Sequence, residues 1–597
     1  MSVSPSQKQD QAVVNAVSGK RLVASTRAIA RWVRLSGTPD EAKAFDWIEG
    51  ELRRIGYDVT RYLHPALVSW PESASLMLTS GDGRTVELPC ATHAFAASTG
   101  TDGLDGPLVY VGRGTADELR AADVRGKIAL VDGVISPERN LAVERAGVAG
   151  SVWIAGTHLH ERILSPVWGT PTPETAPLLP RTPSVSVKQD EGTQLIEAAR
   201  GGAARVRMTT RVYRAWNQLP IVVGELRPTR SGPDAETFVL LSGHVDSWYY
   251  GAIDNGTANA GMMEVAYVMA RRRRALRRGL RVAFWSGHSH ARYAGSAWYA
   301  DQFWQEIHDG CAVHVNVDSL GEQGATLVSN AYAMAELRPF GSEVVETICG
   351  QQLTPRWFSR AGDQSFWGHG VPSLFMTLST QGPSYEAARG TGGQAAGSSS
   401  GSGGHAWWWH TPDDTLDKID RDFLVRDAAI YVLAMYRLCT APLLPLDYRV
   451  AVDELRTALR GIEAGTEGRL NLEPATVQAD ALAAAVGVLY EKIDAIRAGG
   501  KPSPRIAARI NRGLMDLSRW LVPIDFTSTS PFDQDLAVSL PPIPGLRAAS
   551  SLPAVEPGTD AYEFLHTRLV RERNRIAFAL SRAYLGVRAL TASLESR

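Results

Sequence analysis

The sequence has few cysteines, no long apolar run and almost no net charge, and each absence excludes a class of protein. Only four of the 597 residues are cysteine, and they are widely separated. Four scattered thiols are too few for a disulfide framework or a cysteine-based zinc site, so we expect free thiols in a reducing compartment. The formal net charge of −1 gives no reason to expect a nucleic-acid or anionic-membrane partner.

Membrane and export signals are also missing from the sequence. No stretch reaches the roughly 18 apolar residues that a membrane-spanning helix needs, and the first ten residues have no apolar signal core. The cytoplasm is therefore the expected location. With 44% hydrophobic residues the composition is that of a globular protein, and the length predicts two to four domains.

Changes in the pattern of apolar and turn-forming residues along the chain predict an α/β protein with two added regions. Residues 1–65 read as helices followed by a strand, and residues 210–440 alternate apolar strands with helices, which is typical of a sheet covered on both faces. Residues 66–209 contain short β runs separated by Gly, Asp and Pro, and predict a small β-rich insertion. Residues 441–597 are predicted to be mainly helical.

Potential metal ligands follow the predicted strands. His244 comes directly after an apolar strand, and Asp246 lies two residues further on, where it could accept the other ring N–H of His244. Asp254 opens a predicted helix, so it is either an N-cap or a carboxylate bridging two cations. Asp318 ends another apolar strand, where burial is costly without a partner or a metal. With His410, these residues form a set of nitrogen and oxygen donors suited to two metal ions.

These motifs, taken in order, resemble the co-catalytic zinc peptidases that include bacterial aminopeptidases and glutamate carboxypeptidase. The resemblance implies a zinc-exopeptidase-like mixed sheet flanked by helices, with domain segments 1–65 and 210–440. It further implies that 66–209 is a protease-associated domain and that 441–597 is a helical domain forming a homodimer. The matching segments are 243–248 (GHVDSW), 251–256 (GAIDNG), 317–319 (VDS) and 410–416 (HTPDDTL), with 126–132 (GKIALVD) and 146–150 (AGVAG) in the insertion.

The resemblance also implies a role for each donor. His244 and Asp318 would hold one zinc ion, His410 would hold the other, and Asp254 would bridge the two. The peptide bond between Asp254 and Asn255 would be cis. One or two zinc ions are expected, and another divalent transition metal stays open.

The chain departs from this family where two adjacent glutamates are expected, one as general base and one as metal ligand. It reads Trp285-Ser-Gly-His288-Ser289-His290, without glutamate. When the family's motif is aligned from Trp285, the two glutamate positions fall on His288 and Ser289. When it is aligned from Gly295, they fall on Ser289 and His290. Because imidazole can accept a proton or bind a metal near pH 7, we predict His288 as the base and His290 as a ligand. Asp246, which would orient His244, is the second predicted catalytic residue.

Four residues are candidates for substrate binding. Asp363 and Gln364 precede a predicted strand in a region that faces the substrate in the resembling family, although Asp363 is equally suited to capping a helix. Trp409 could wall an apolar pocket, although packing in the core is the commoner use of such a residue. Arg292 follows the histidine-rich segment. The Gly- and Ser-rich residues 389–404 are either a linker or a flap over the site.

We therefore expect a metal-dependent hydrolase that cleaves an amide bond in a peptide or an N-acyl amino acid. Two alternatives stay open. One is a different, non-peptidase reaction of the same metal site on a small molecule. The other is a non-catalytic binding protein, a role for which the transferrin receptor uses the same scaffold.

Overall fold

The structure is a computed structural model that describes residues 5–229, 231–382 and 406–595. The segment 389–404, interpreted above as a linker or a flap, lies outside the described residues. Within the described ranges no helix is long and apolar enough to cross a membrane.

Twelve strands of the described residues form one continuous mixed sheet, which confirms the predicted α/β class. Its order is β12-β11-β9-β10-β8-β4-β5-β6-β7-β3, and β1 pairs with β2 and β8. The strands are β1 (Asp58–Thr79), β2 (Thr85–Leu88), β3 (Ala91–Thr92), β4 (Leu104–Tyr110), β5 (Ile128–Asp132), β6 (Gly150–Ile154), β7 (Ser184–Val187), β8 (Arg205–Leu226), β9 (Phe238–His244), β10 (Gly279–Trp285), β11 (Cys311–Asn316) and β12 (Ser373–Leu374).

Fifteen helices of the described residues surround this sheet or extend from it. They are α1 (Pro5–Val14), α2 (Gly19–Ile29), α3 (Pro39–Arg54), α4 (Ala116–Ala121), α5 (Pro137–Arg145), α6 (Gln189–Arg200), α7 (Ala258–Ala270), α8 (Ala294–Gln302), α9 (Trp304–Gly310), α10 (Arg338–Cys349), α11 (Arg421–Thr440), α12 (Tyr448–Gly465), α13 (Glu473–Ala498), α14 (Pro504–Phe526) and α15 (Asp560–Ser593).

The strands that lead to the metal-ligand candidates are parallel and buried on both faces. β9 pairs in parallel with β10 and with β11, and every residue of the three strands is buried. Alternate side chains enter different cores: Leu241 and Phe284 pack with the helices on one side, and Leu240 and Trp285 pack with Tyr299 on the other. Parallel strands bring their carboxyl ends to one edge of the sheet, where α/β proteins bind ligands.

The two longest strands join the two halves of the sheet. β1 and β8 pair antiparallel from Asp58 opposite Glu225 to Thr79 opposite Arg205, with one irregularity between Pro71 and Ser73. Between them, residues 80–204 form a lobe of their own, which we call the inserted lobe. Its strands β4 to β7 are parallel and enclose separate apolar clusters. The predicted borders near 65 and 209 therefore fall within continuous strands.

The C-terminal region returns to the sheet between its last two long helices. After α14 the chain leaves the helical bundle, and the Ala537 N–H donates to the Pro166 carbonyl of the inserted lobe at 2.7 Å. Trp357 Nε1 donates to the Leu540 carbonyl at 2.7 Å. Three parts of the chain therefore meet beside the carboxyl edge of the parallel strands.

Candidate metal centre

Asp254 lies between two histidines that come from distant parts of the chain. Its Oδ1 is 3.2 Å from His244 Nε2, and its Oδ2 is 3.0 Å from His410 Nε2. Asp318 Oδ1 is 3.6 Å from His244 Nε2. Two ligands of one tetrahedral zinc ion, each bound at 2.0–2.1 Å, lie about 3.3 Å apart. The structure thus brings the four predicted donors together, with Asp254 between the two histidines.

The donor atoms are better suited to binding a cation than to forming hydrogen bonds with one another. Within the described part of the chain, His244 Nε2 and Asp254 Oδ1 are buried atoms without a hydrogen-bond partner. Burial would lower the pKa of His244, but Asp254 and Asp318 raise it well above its usual value. A protonated ring or a bound cation would satisfy these carboxylates, and the paired nitrogen and oxygen donors suit zinc.

Hydrogen bonds to the main chain around Asp254 hold it between the two histidines. Asp414 accepts the N–H groups of Ile253 at 2.8 Å and of Asp254 at 3.0 Å. The bond between Asp254 and Asn255 is cis, as the resemblance implied. Asn255 Oδ1 accepts the Ser319 N–H at 3.0 Å and ties this loop to the residue after Asp318.

His410 is held largely by the inserted lobe. Its Nδ1 lies 2.8 Å from the Glu161 carbonyl, and the Glu161 N–H donates back to the His410 carbonyl at 3.1 Å. His160 Nδ1 is 2.6 Å from the Trp409 carbonyl. The Trp409 ring stacks on His410 with centroids 3.4 Å apart. Trp409, predicted to wall a substrate pocket, thus also supports a candidate ligand.

Asp246 has a different set of contacts from the one predicted. His244 Nδ1 is 2.9 Å from the main-chain carbonyl of Asp246, whereas the carboxylate is 3.8 Å away. The carboxylate instead accepts the N–H groups of His288 at 3.0 Å and Ser289 at 2.9 Å. Burial opposes its ionisation, but contacts with histidines, His290 foremost, hold the pKa of Asp246 well below its usual value. Asp246 therefore anchors the loop that replaces the two glutamates.

That anchored loop points its two histidines in different directions. The His288 ring stacks on His244 with centroids 3.8 Å apart. His244, His288 and Asp318 offer ligand atoms within 4.8 Å of one another. His290 instead lies 3.0 Å from Ser36 Oγ and 3.3 Å from Asp246 Oδ2, both through Nδ1.

The structure therefore does not bring His290 into the donor group. Its fully buried ring meets Trp248 edge-on, with centroids 4.3 Å apart. The prediction of His290 as a ligand is not reflected in these contacts, because its Nδ1 is already engaged by Ser36 and Asp246. His288 is the histidine placed beside the candidate ligands.

The predicted substrate-binding residues are also placed differently. Asp363 is fully buried and its Oδ2 lies 2.9 Å from His288 Nδ1, so it faces that ring. Gln364 is buried too, and its Oε1 is 3.3 Å from His314 Nδ1 on β11. Arg292 donates to the Ala537 carbonyl at 3.0 Å. Asp363 and, as described above, Trp409 contact the candidate site, whereas these contacts of Gln364 and Arg292 lie outside it.

Sequence reasoning missed Glu161 and Asp414, which support the candidate ligands, and Ser36, which contacts His290. Each contact is made across 160 residues or more, with no local motif to indicate it. The Asp-Asp pair at 413–414 was part of a matching motif, but nothing in its spacing distinguishes exposed Asp413 from buried Asp414.

Comparison with known proteins agrees with this geometry. Residues 222–435 match the family described as peptidase family M28, and this segment supplies all four predicted donors. This segment is therefore similar to M28 peptidases, and the resemblance to co-catalytic zinc peptidases is confirmed. The chain is 22% identical over 561 residues to a probable glutamate carboxypeptidase (VP8) of Zea mays, covering 79% of this chain and 74% of that protein.

Solved structures show the same fold. An M28 peptidase precursor from Shewanella amazonensis has a TM-score of 0.56 at 18% identity, covering 73% of this chain and 97% of its own. A zinc aminopeptidase from Bacillus subtilis has a TM-score of 0.52 at 19% identity, covering 71% and 96% respectively.

Proposed function

We propose that this protein is a metal-dependent hydrolase that cleaves an amide bond in a peptide or an N-acyl amino acid. The observation that supports it most is the placement of Asp254 between His244 and His410, at distances suited to shared metal ions. The M28 match of the same segment agrees with peptide hydrolysis.

His244, Asp254 and Asp318 would hold one zinc ion, and His410 with Asp254 would hold a second. A bound zinc ion polarises a carbonyl and makes water a usable nucleophile at neutral pH. The two positions are unequal, because His244, Asp254 and Asp318 offer three donors on one side, whereas His410 and Asp254 offer two on the other. We therefore expect one firmly bound ion and a second that is lost more readily.

His288 would accept the proton released in the reaction. Asp363 holds Nδ1, which leaves Nε2 as the proton acceptor on a ring stacked against His244. A buried carboxylate also stabilises the imidazolium that forms, as in other Asp–His pairs. His288 thus takes the place of the missing general-base glutamate.

The test combines hydrolysis with metal content. Purified protein is assayed on aminoacyl and N-acyl amino acid amides, with and without a chelator, beside His244→Ala and His288→Gln. We expect chelator and His244→Ala to remove both metal and activity, and His288→Gln to lose about 100-fold or more in rate while keeping its metal. A fully metal-loaded protein that hydrolyses none of these amides would favour a different reaction or a binding role.

The predicted domain roles and location are proposals as well. The parallel strands and separate cores of the inserted lobe agree with a protease-associated domain. Phe564 and Phe578 on α15 are 72% and 61% exposed, which suits a helical homodimer surface. Phe578→Asp should then convert a dimer to a monomer in light scattering, and a wild-type monomer would contradict the proposal. A cytoplasmic location agrees with the free cysteines.

A further inference from the structure

A line of hydrogen bonds runs from the inserted lobe to His288. Trp168 Nε1 donates to Ser365 Oγ at 2.9 Å, and Ser365 Oγ lies 2.9 Å from Ser296 Oγ. Ser296 Oγ is 3.0 Å from Asp363 Oδ1, and Asp363 Oδ2 is 2.9 Å from His288 Nδ1. The first four side chains are buried and His288 is partly exposed, so water does not compete along most of the line.

The two ends of the line together give its bonds a direction. An indole N–H can only donate, so the Ser365 oxygen accepts from Trp168 and keeps its single proton for donation to Ser296. Ser296 then has one proton and two acceptors in reach, the Tyr293 carbonyl at 3.2 Å and Asp363. The ionised carboxylate is the stronger acceptor.

Asp363 in turn fixes the proton position on His288. An ionised carboxylate only accepts, so the Nδ1 of His288 must carry the hydrogen, and Nε2 keeps its lone pair. That lone pair is what a base beside the candidate ligands needs. The tautomer of His288 thus depends on how Asp363 is held, and the serines that hold it are bonded to a side chain of the inserted lobe.

Contacts from two other parts of the chain hold Trp168 in place. Its ring packs on Tyr293 with centroids 4.1 Å apart, and the Arg360 guanidinium carbon lies 3.9 Å from the ring centroid. Arg360 donates to Gln534 Oε1 at 2.6 Å, and Gln534 Nε2 donates to the Ser365 carbonyl at 3.1 Å. The segment after α14 therefore braces both the indole and the serine that it contacts.

We propose that Trp168 is a positioning residue that holds His288 in its Nδ1–H tautomer through Ser365, Ser296 and Asp363. The use of the Nε2 lone pair rests on the proposed function, whereas the tautomer itself does not. Without the indole donor, Ser365 is free to donate or accept, and Ser296 is free to turn to the Tyr293 carbonyl. Asp363 then loses the donor that holds its carboxylate towards His288, and as it turns away from Nδ1, His288 samples both tautomers.

The chain contains a matched control for this change. Trp153 is a buried indole of the same lobe that donates to Ser151 Oγ at 2.8 Å. Ser151 pairs with Ser184 at 2.9 Å, and Ser184 donates to Asn140 Oδ1 at 3.2 Å. This second line has the same indole-serine-serine order but ends within the lobe. Trp153→Phe therefore removes an equivalent buried hydrogen bond without touching His288.

The test is the tautomer of His288 in metal-free protein labelled with ¹⁵N-histidine. Long-range ¹H–¹⁵N spectra are recorded where the imidazole is neutral, and His288→Gln assigns its signals among the 13 histidines. We expect Nδ1–H in wild type and in Trp153→Phe, and a mixture of tautomers in Trp168→Phe. Ser365→Ala should give the same mixture if the larger substitution fails to fold. An unchanged tautomer in either well-folded variant, or Nε2–H in wild type, would overturn the proposal.

Kinetics supply a second, separable readout. Trp168→Phe and Ser365→Ala should lower kcat by about 10- to 100-fold, as supporting contacts of catalytic groups do, with KM nearly unchanged. Ser365→Thr keeps the hydroxyl and should restore most of kcat. Absence of turnover in wild type would count against the proposed function alone, because the NMR result does not depend on it. A rise in KM as large as the fall in kcat, or no rescue by threonine, would contradict a positioning role for Trp168.

Discussion

The two histidines on either side of Asp254 are supported in different ways. His244 ends a buried parallel strand, and its Nδ1 is held two residues further along the same chain segment. His410 lies in a turn, and its main contacts are with Glu161 and the neighbouring residue of the inserted lobe. One side of the site is thus built by the sheet and the other depends on a separate lobe. Substitutions that distinguish the sides show which one catalysis needs.

The largest effect is expected from removing the shared carboxylate. Asp254→Asn removes the negative charge that both ion positions share and should abolish metal binding on both sides. Losing a zinc ion removes several kcal/mol of transition-state stabilisation, so the rate should fall by about a thousandfold. Metal content by mass spectrometry and hydrolysis rates provide the measurement. Asp413→Asn, at an exposed position three residues after His410, should change neither.

The next comparison separates the two sides directly. His410→Ala should leave one ion per chain, because His244, Asp254 and Asp318 still offer three donors. His244→Ala should leave the protein with almost no firmly bound metal. Elemental analysis after dialysis against metal-free buffer distinguishes these results. Equal losses in the two variants would mean that the sides do not differ in strength.

A smaller effect should follow from loosening the inserted lobe. Glu161 Oε1 accepts from Tyr249 Oη at 2.8 Å, and this bond steadies the main chain that holds His410. Glu161→Ala should lower the affinity of the weaker zinc-binding step by about tenfold and leave the affinity of the stronger step unchanged. Calorimetric zinc titration resolves the two steps. A change confined to the stronger step would show that the lobe acts on the His244 side instead.

The smallest effect on the metal centre is expected at the boundary with the helical region. Burial, followed by repulsion from Glu454, raises the pKa of Glu336 to about 7. The folded protein therefore keeps a proton that the unfolded chain releases near pH 4.5, and stability falls as pH rises from about 4.5 through 7.

Glu336→Gln removes this titration. Above pH 7 the variant should be more stable than wild type, by up to about 3 kcal/mol, and the pH dependence of its melting temperature should be weaker. Thermal unfolding between pH 5 and pH 9 would measure this, at fixed ionic strength. Metal content should stay the same, and a loss of metal would mean that the two regions are coupled.

Much of the fold and of the ligand set could be predicted from local pattern. Apolar runs predicted β9, β10 and β11. In the inserted lobe, two Gly-flanked strand patterns separated by a helix pattern predicted β5, α5 and β6. His244, Asp254 and Asp318 were found because each comes directly after a strand or opens a helix. Strand ends meet at one edge of a parallel sheet, so position along the chain is enough to predict their proximity.

The histidine-rich loop was beyond such reasoning. From sequence, the alignment from Trp285 and the alignment from Gly295 were equally allowed, and both histidines had suitable chemistry. The choice depends on which main-chain groups Asp246 binds, and those bonds span 42 and 43 residues. No spacing rule reports such a contact.

By itself, then, the sequence determined the class of fold, the order of the donors and the metal chemistry they suit, because these follow from residue type and strand position. Only the tertiary structure decided that His288 faces the site, that His290 packs against Trp248, and that Asp363 contacts a histidine. It also decided that Trp168, 197 residues from Ser365, stands at the start of that line. The physical reason is that a hydrogen bond is directional and short, and only the folded chain brings its two ends within 3 Å of each other.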